Sequence, residues 1–183
     1  MRFRFAALVV AALALPVLAQ AQPAPVAAGT LEIQGGIGAI GLPEGTDGTY
    51  SAQPELRVGF FLSEGIELQA AGSIRMWPLG TVAPHNASAA AHLLWYPSLG
   101  PGHRNLYLLA GGGIARNDPP GFLIERTFDP LARIGFGFKI PLAALGLGAM
   151  SAGWFTTEFR SEVLFEEFTS PVAGIAVGYS YFL

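Results

Sequence analysis

The chain ends on the stretch Ile175-Ala176-Val177-Gly178-Tyr179-Ser180-Tyr181-Phe182-Leu183, in which large apolar side chains occupy every second position. A period of two is typical of a β-strand, and no turn, helix or polar tail follows it. At the end of a soluble domain such a strand would be an exposed sheet edge that favours aggregation. In a closed barrel it pairs with the first strand instead. The segment from Val172 to Leu183 therefore favours a barrel as the fold.

The other end of the chain predicts the compartment. Met1-Arg2-Phe3-Arg4 is a short basic region, residues 5–18 are apolar apart from Pro16, and Ala19-Gln20-Ala21 is a small-residue cleavage motif. The apolar run is shorter than the roughly 20 residues that a spanning helix needs, so these features predict a secretory signal peptide over residues 1–21. A Pro/Ala-rich tether over 22–29 and one domain over 30–183 would follow.

Composition limits the possible classes further. The chain has no cysteine, which excludes disulfides, thiolate metal sites and lipoprotein processing. Its formal charge of -3 is mildly acidic, which argues against a nucleic-acid partner. Hydrophobic residues make up 51 % of the chain, yet after the signal region no stretch has 18 uncharged apolar residues. A barrel that is apolar on its outside would accommodate this composition.

The same alternation, bounded by turn residues, recurs along the chain and predicts eight strands. The predicted strands are Leu31–Gly41, Glu55–Leu62, Ile66–Trp77, Ala87–Tyr96, Asn105–Arg116, Leu131–Ile140, Leu147–Arg160 and Val172–Leu183. An even number of strands of this length, joined alternately by longer loops and shorter turns, is the pattern of outer-membrane barrels. The predicted fold is an all-β, eight-stranded antiparallel up-and-down transmembrane barrel with short periplasmic turns and longer extracellular loops.

Charged side chains fall between the apolar positions of the predicted strands, so we expect them on the inner face. They form a lumen charge network of nearly balanced sign: Glu32, Glu55, Arg57, Glu67, Arg75, Arg133, Lys139, Glu158 and Arg160. An eight-stranded barrel is only wide enough for its side chains to fill it, and buried charges must be paired. The pattern alone would also suit a secreted soluble barrel that holds a ligand inside.

Aromatic residues near the predicted strand ends favour the membrane alternative, because amphipathic rings concentrate at the membrane–water interface. The predicted interface aromatics are Trp77, Trp95, Tyr96, Tyr107 and Tyr179.

With these features the chain resembles the small outer-membrane β-barrel superfamily of the OmpA/OmpX type. The C-terminal assembly signal of that superfamily is matched in spacing by Gly178, Tyr181 and Leu183, although Ala176 stands where a polar residue is usual and Leu183 where phenylalanine is usual. The resemblance implies export to the outer membrane of a diderm bacterium, insertion into its lipid and delivery by the barrel-assembly machinery. It implies one of several roles: adhesion, envelope stabilisation, a small channel or lipid A modification.

Among these roles we expect a structural or surface-interaction role, with a narrow transport pore and a lipid A-modifying enzyme as alternatives. His92 and Ser88 share a strand face but lie about 13 Å apart along it, too far for an acid–base pair. The sequence therefore predicts no enzyme, no cofactor and no metal site. Apolar and acidic residues within 117–130 and 161–171, among them Phe128 and Glu162, make these loops candidates for binding an extracellular partner.

Overall fold

The computed structural model describes residues 26–41, 50–76, 86–97, 105–117, 127–145, 153–165 and 170–183. Eight antiparallel strands close into one barrel in sequence order. They are β1 Leu31–Gly41, β2 Tyr50–Ser63, β3 Ile66–Arg75, β4 Asn86–Trp95, β5 Leu106–Asn117, β6 Thr127–Pro141, β7 Gly153–Leu164 and β8 Ser170–Phe182. A short 3₁₀ helix, Leu142–Leu145, follows β6. Within the described ranges no helix has the length and apolar character to cross a bilayer. The predicted fold class and strand number are confirmed.

The last strand pairs with the first, as the C-terminal alternation predicted. The β1–β8 ladder runs from Glu32 opposite Phe182 to Gly41 opposite Ala173. Beyond it, Leu31 and Leu183 exchange two backbone hydrogen bonds. Both ends of the domain therefore lie at one end of the barrel, which we call the terminal end. The opposite end carries the connections β1–β2, β3–β4, β5–β6 and β7–β8 and is called the far end.

The period-two pattern places alternate side chains inside and outside, and β3 shows this most regularly, with exposed and buried residues alternating along all ten positions. The inner face is polar, whereas apolar side chains such as Leu56, Leu68 and Ile134 are exposed on the outer face. In a protein surrounded by water this surface would be unfavourable, whereas a bilayer solvates it.

Three predictions about strand limits are wrong. β7 begins at Gly153 and ends at Leu164, so it is displaced from the predicted Leu147–Arg160. The glycine-rich segment before Gly153 alternates poorly, and the ladder with β6 continues to Leu131 opposite Leu164. β2 and β6 also extend four to five residues further toward the far end than predicted. Parts of the predicted loops 117–130 and 161–171 therefore belong to strands.

The connections do not follow the predicted rule of short turns at one end. At the terminal end, β2 and β3 are joined by Glu64-Gly65 alone, but 96–105 and 142–152 separate the other two strand pairs. At the far end the intervals are 42–49, 76–85, 118–126 and 165–169. The predicted turn after β6 was too short because that prediction placed the start of β7 at Leu147. The predicted signal peptide lies outside the described residues and stays a prediction.

Candidate functional site: the barrel lumen

The lumen contains three layers along the barrel axis. At the terminal end lies an aromatic cluster of Phe61, Leu94, Tyr96, Tyr107 and Leu109, against which Phe182 and Val26 pack. At the far end lies a smaller apolar cluster of Ala90, Ala115, Leu131 and Leu164. Between them lies a network of charged and hydrogen-bonding side chains. Side chains alternate between the inner and outer face of each strand, so the residues that point inward at a given height determine the composition of each layer.

Arg57 and Glu158 form the main contact of the central network. Arg57 Nη1 and Nη2 donate to Glu158 Oε2 and Oε1 over 2.7 and 2.8 Å, and Arg57 Nε donates to Glu55 over 2.5 Å. Both Arg57 and Glu158 are almost completely buried. A planar guanidinium matches the two oxygens of a carboxylate in this way, and the two-point contact fixes orientation as well as distance.

Two further arginines share Glu55. Arg133 Nη1 and Arg160 Nη1 each lie 3.0 Å from one of its carboxylate oxygens. Arg133 also donates to the hydroxyl of Ser88 over 3.2 Å, and Arg160 donates to the side-chain oxygen of Gln53 over 2.8 Å. The hydrogen-bonding groups of these arginines are therefore distributed over several acceptors, which is what burial of a charge requires.

Glu162 is a member of the network that the sequence analysis placed in a loop. It is buried in β7, where Arg75 Nη2 lies 2.9 Å and Arg133 Nε 3.1 Å from its carboxylate oxygens. The assignment to a loop was wrong because β7 continues past Arg160. The signal in the sequence was the alternation Glu158, Arg160, Glu162, which a strand extended by four residues would have included.

Some ion pairs follow the sheet, such as Arg133 with its register partner Glu162, but others cross the lumen. Arg57 on β2 pairs with Glu158 on β7, Arg75 on β3 with Glu162 on β7, and Arg133 on β6 with Glu55 on β2. Ladder hydrogen bonds connect only neighbouring strands. The network therefore ties walls of the barrel that the backbone leaves unconnected.

Lys139 forms a separate group at the terminal end. Its Nζ contacts a carboxylate oxygen of Glu32 and lies 3.0 Å from Glu67 Oε2. Four rings surround the same atom, with centroids 5.5 Å away for Tyr96 and Tyr107, 5.7 Å for Phe61 and 5.9 Å for Phe182. We call Lys139, the two glutamates and the four rings the terminal plug.

The nine predicted network residues are therefore all in the lumen, but they form two groups. Six of them join Glu162 in the central network: Glu55, Arg57, Arg75, Arg133, Glu158 and Arg160. The other three belong to the terminal plug. Gln69 connects the groups, since it donates to Glu67 over 2.8 Å and accepts from Arg57 at 3.4 Å.

Two of the five predicted interface aromatics lie in the lumen instead. Tyr107 is fully buried and donates to Glu158 over 2.8 Å, and Tyr96 donates to Glu67 over 2.5 Å. The interface prediction was wrong for both because nearness to a strand end was used without the inward or outward phase. Trp95 and Tyr179 do point outward, while Trp77 lies outside the described residues.

The residues matched to the assembly signal lie on both faces of β8. Tyr181 and Leu183 are exposed on the outer face, with 41 % and 64 % of their surface accessible. Gly178 faces the lumen, where a Cβ atom would lie 2.8 Å from the Thr156 hydroxyl. Recognition of these residues by an assembly machine stays a prediction.

Two small voids lie between the packed side chains in the described part of the lumen. One void lies beside Gln34, Arg57 and Glu158 and another beside Arg75 and Glu162. Each has a volume of about 10 Å³, enough for about one water molecule. Neighbouring side chains fill the space beside the inward-facing Gly137, since a Cβ atom there would lie 2.3 Å from the Tyr107 ring.

The described residues offer no cluster of three or more His, Cys, Asp or Glu side chains that could hold a metal ion. His92 is fully buried, with Nε2 3.5 Å from Arg133 Nη1. Ser73 and Ser88 share a hydrogen bond of 2.7 Å beside the same guanidinium. These groups contact the Arg133 guanidinium, and the void beside Ser88 has a volume of about 10 Å³, about that of one water molecule.

The comparisons with known proteins agree with this architecture. No family model matches the chain, and no curated protein matches its sequence significantly. Among solved structures, Neisserial surface protein A (NspA) is similar over 84 % of this chain and 98 % of its own, with a TM-score of 0.57 and 9 % identity. The chain has the fold of the small outer-membrane β-barrels.

A second solved structure supports the same fold. The N-terminal β-barrel domain of Pseudomonas aeruginosa OprF matches 85 % of this chain and 100 % of its own, with a TM-score of 0.50 and 16 % identity. Identities this low show the fold alone. For this outer-membrane barrel fold, the exposed apolar belt is the surface that contacts lipid.

Proposed function

We propose that this chain is an integral outer-membrane protein with a structural or surface-interaction role and a lumen that does not conduct. The observation that carries this proposal is the cross-lumen ion-pair network between β2, β3, β6 and β7. Pairing oppositely placed walls makes the barrel stiff, and filling the lumen removes the path that a pore needs. Export by the signal peptide and insertion by the barrel-assembly machinery are part of the same proposal.

The lumen also explains why a pore is the weaker alternative. A transport path would have to pass the aromatic terminal plug, the central ion pairs and the far-end apolar cluster. Each of these layers would have to rearrange, and separating a buried ion pair costs several kcal/mol, on the order of 3–5. Reconstitution into planar bilayers tests this: we expect no stable conductance. Stable openings in the nanosiemens range would contradict the proposal and favour the pore.

A surface-interaction role is supported by apolar side chains at the far end of β6 and β7. Phe128 is 65 % exposed and Phe165 is 51 % exposed, and the Phe165 amide donates to the Pro130 carbonyl. At about 3.3 Å per residue and a tilt of about 40°, the outward residues from Phe138 to Phe128 span about 25 Å, the height of the apolar belt. Phe128 and the neighbouring Phe165 would therefore lie at the far-end rim of the belt, where an extracellular partner can reach them.

The double variant Phe128→Ser/Phe165→Ser tests the surface role. Cells that display the protein would be measured for adherence to an immobilised mixture of extracellular-matrix proteins. We expect reduced adherence with unchanged amounts of folded protein in the membrane. Leu145→Ser, at an exposed apolar residue of the terminal end, is the matched control. Equal loss in the control, or no loss in the double variant, would leave only the structural role.

Enzymatic modification of lipid A is the remaining alternative from another class. Mass spectrometry of lipid A from cells with and without the protein distinguishes the two classes. We expect identical lipid A in both. A mass change that depends on the protein would show that a catalytic site exists.

A further inference from the structure

The terminal plug collects side chains from six strands, and Tyr96 from directly after a seventh, around one ammonium group. Lys139 itself comes from β6, and the contacts of its Nζ come from β1, β2, β3, β5 and β8, with Tyr96 directly after β4. Trp154 of β7 lies outside the plug and packs its ring edge-on against Phe182, with centroids 5.3 Å apart. The plug is therefore complete only when β1, β8 and the strands that carry its other members are in place.

The chemistry of the plug is that of an ammonium-binding cage. Rings within about 6 Å attract a cation through their negative faces, and the attraction grows when water is excluded. Here four rings lie at 5.5–5.9 Å from Nζ, and carboxylates of Glu32 and Glu67 accept from it. Both glutamates are completely buried. The compact ammonium fits this cage, whereas the central network uses planar guanidinium groups.

The plug contacts the β1–β8 ladder, which closes the barrel and which we call the seam. The seven charged side chains of the central network come from β2, β3, β6 and β7. Glu32 and Phe182, in contrast, lie on β1 and β8 and are register partners in the β1–β8 ladder. Both reach Lys139 together only when that ladder has formed.

The seam has little else to hold it from the lumen side. Gly36 lies opposite Gly178 and Gly38 opposite Ala176, so small residues face inward along its middle. The described cross-lumen contact of this stretch is the hydrogen bond of 3.2 Å from Gln34 to Thr156 on β7. Glu32 is the only charged residue in the sequences of β1 and β8, so among the described contacts the plug holds the one ion pair that these strands make.

We propose that the terminal plug is a binding site for a primary alkylammonium group, which the chain fills with its own Lys139, and that filling it locks the β1–β8 seam. Val26 packs over the plug, and the amide of Gly29 donates to the Phe61 carbonyl over 2.8 Å, so the segment before β1 covers the lock.

A pair of engineered disulfides tests the lock, because the chain has no cysteine of its own. Ile37→Cys/Val177→Cys joins register partners across β1–β8, and Ala91→Cys/Gly112→Cys joins register partners across β4–β5 as the control. All four positions face outward and leave the lumen unchanged. Unfolding would be followed by the heat-dependent shift in electrophoretic migration of the folded barrel.

We expect Lys139→Ala to lower the unfolding temperature by roughly 10 °C, because two buried carboxylates lose their counter-ion. The seam disulfide should stabilise Lys139→Ala more than it stabilises the unsubstituted protein. The control disulfide should stabilise both equally. The proposal that the plug locks the seam would be overturned if both disulfides raised the unfolding temperature of Lys139→Ala equally. It would also be overturned if Lys139→Ala did not lower the unfolding temperature. If Lys139→Ala does not fold, the same comparison in Lys139→Met decides.

Refolding with added amines tests the site itself. n-Propylammonium replaces the atoms that Lys139→Ala removes, so we expect it to restore at least half of the lost unfolding temperature. Tetramethylammonium has no N–H to donate to the glutamates and should restore less. Lys139→Met fills the space with an uncharged side chain and should not respond. Equal effects of both amines, or an equal response of Lys139→Met, would overturn the ammonium site.

Discussion

The central network and the terminal plug bury charge in the same lumen by different means. In the central network four arginines face three glutamates, and Arg57, Arg133 and Arg160 each distribute their contacts over several acceptors, whereas Arg75 contacts Glu162. In the plug one lysine faces two glutamates and is enclosed by four rings. The ten charges balance over the whole lumen, but each region alone is unbalanced by one.

This difference reflects the geometry of the two cations. A guanidinium is a flat fork that joins several carboxylates in a plane, which suits a network spanning the barrel. An ammonium is compact and can donate or present its charge in several directions, which suits a cage built by side chains from many strands. Stiffening of the walls and closure of the seam are therefore assigned to different regions of the lumen.

Removal of Glu158 should break the central network most severely. Glu158→Gln would leave Arg57 without its two-point partner and make the network more positive. We expect the free energy of unfolding to fall by about 3–5 kcal/mol, measured by urea titration in phospholipid vesicles. Glu64→Gln makes the same chemical change in the exposed β2–β3 turn and should cost less than about 1 kcal/mol. Similar losses in the two variants would show that the network contributes little.

Exchange of Arg133 for lysine tests whether the two regions really need different cations. Arg133→Lys keeps the charge but loses the fork that reaches Glu55, Glu162 and Ser88. We expect a loss of about 2–3 kcal/mol in the same titration, since charged hydrogen bonds are removed. A neutral outcome would mean that charge alone, without guanidinium geometry, holds the network.

Addition of one methyl group at Gly137 should disturb the plug, because the group would overlap the Tyr107 ring. A Cβ at this position would lie 2.3 Å from the Tyr107 ring and 2.7 Å from the Thr157 carbonyl oxygen. Gly137→Ala is therefore expected to destabilise the fold by about 1–3 kcal/mol through overpacking. At Gly72, on the outer face, the same Cβ has no atom within 4 Å, so Gly72→Ala should be nearly neutral. Urea titration of both variants measures the difference, and equal effects would contradict the packing of the lumen.

Loss of the Tyr107 hydroxyl should have the smallest effect, because it cuts one link between the regions and leaves the ring in the plug. Tyr107→Phe removes the hydrogen bond to Glu158, which keeps its two bonds from Arg57. We expect a loss of about 1 kcal/mol. Tyr179→Phe, on the outer face, is the matched control and should lose less than Tyr107→Phe. The reverse order would place Tyr107 at the interface after all.

Sequence patterns were most informative where charged and apolar residues alternate strictly along a strand. The alternation of Arg133 and Lys139 with Ile134, Phe136 and Phe138 predicted correctly that the charges point inward and the apolar residues outward. The same reasoning failed where the period was unclear. Glycines before Gly153 obscured the start of β7, and the end of that strand, with Glu162, was assigned to a loop.

Tyr96 and Tyr107 show a second limit of sequence patterns. A tyrosine near a strand end suits either the membrane interface or a lumen that offers its hydroxyl a carboxylate. Only the three-dimensional arrangement supplies Glu67 and Glu158 as those partners, 29 and 51 residues away in sequence.

The sequence by itself determined the number of strands, their order around a closed barrel and the inward face of nine of the ten lumen charges, all but Glu162. These follow from local rules, because side chains alternate along a strand and a terminal strand needs a partner. Only the tertiary structure decided which charges meet. Partners such as Arg57 and Glu158 are 101 residues apart, and their contact depends on the register of every ladder between them. The tertiary structure also divided the nine predicted charges into a network across the walls and a plug at the seam. The height of each charge along the barrel axis depends on the registers of all eight strand pairs and is not encoded in any single strand.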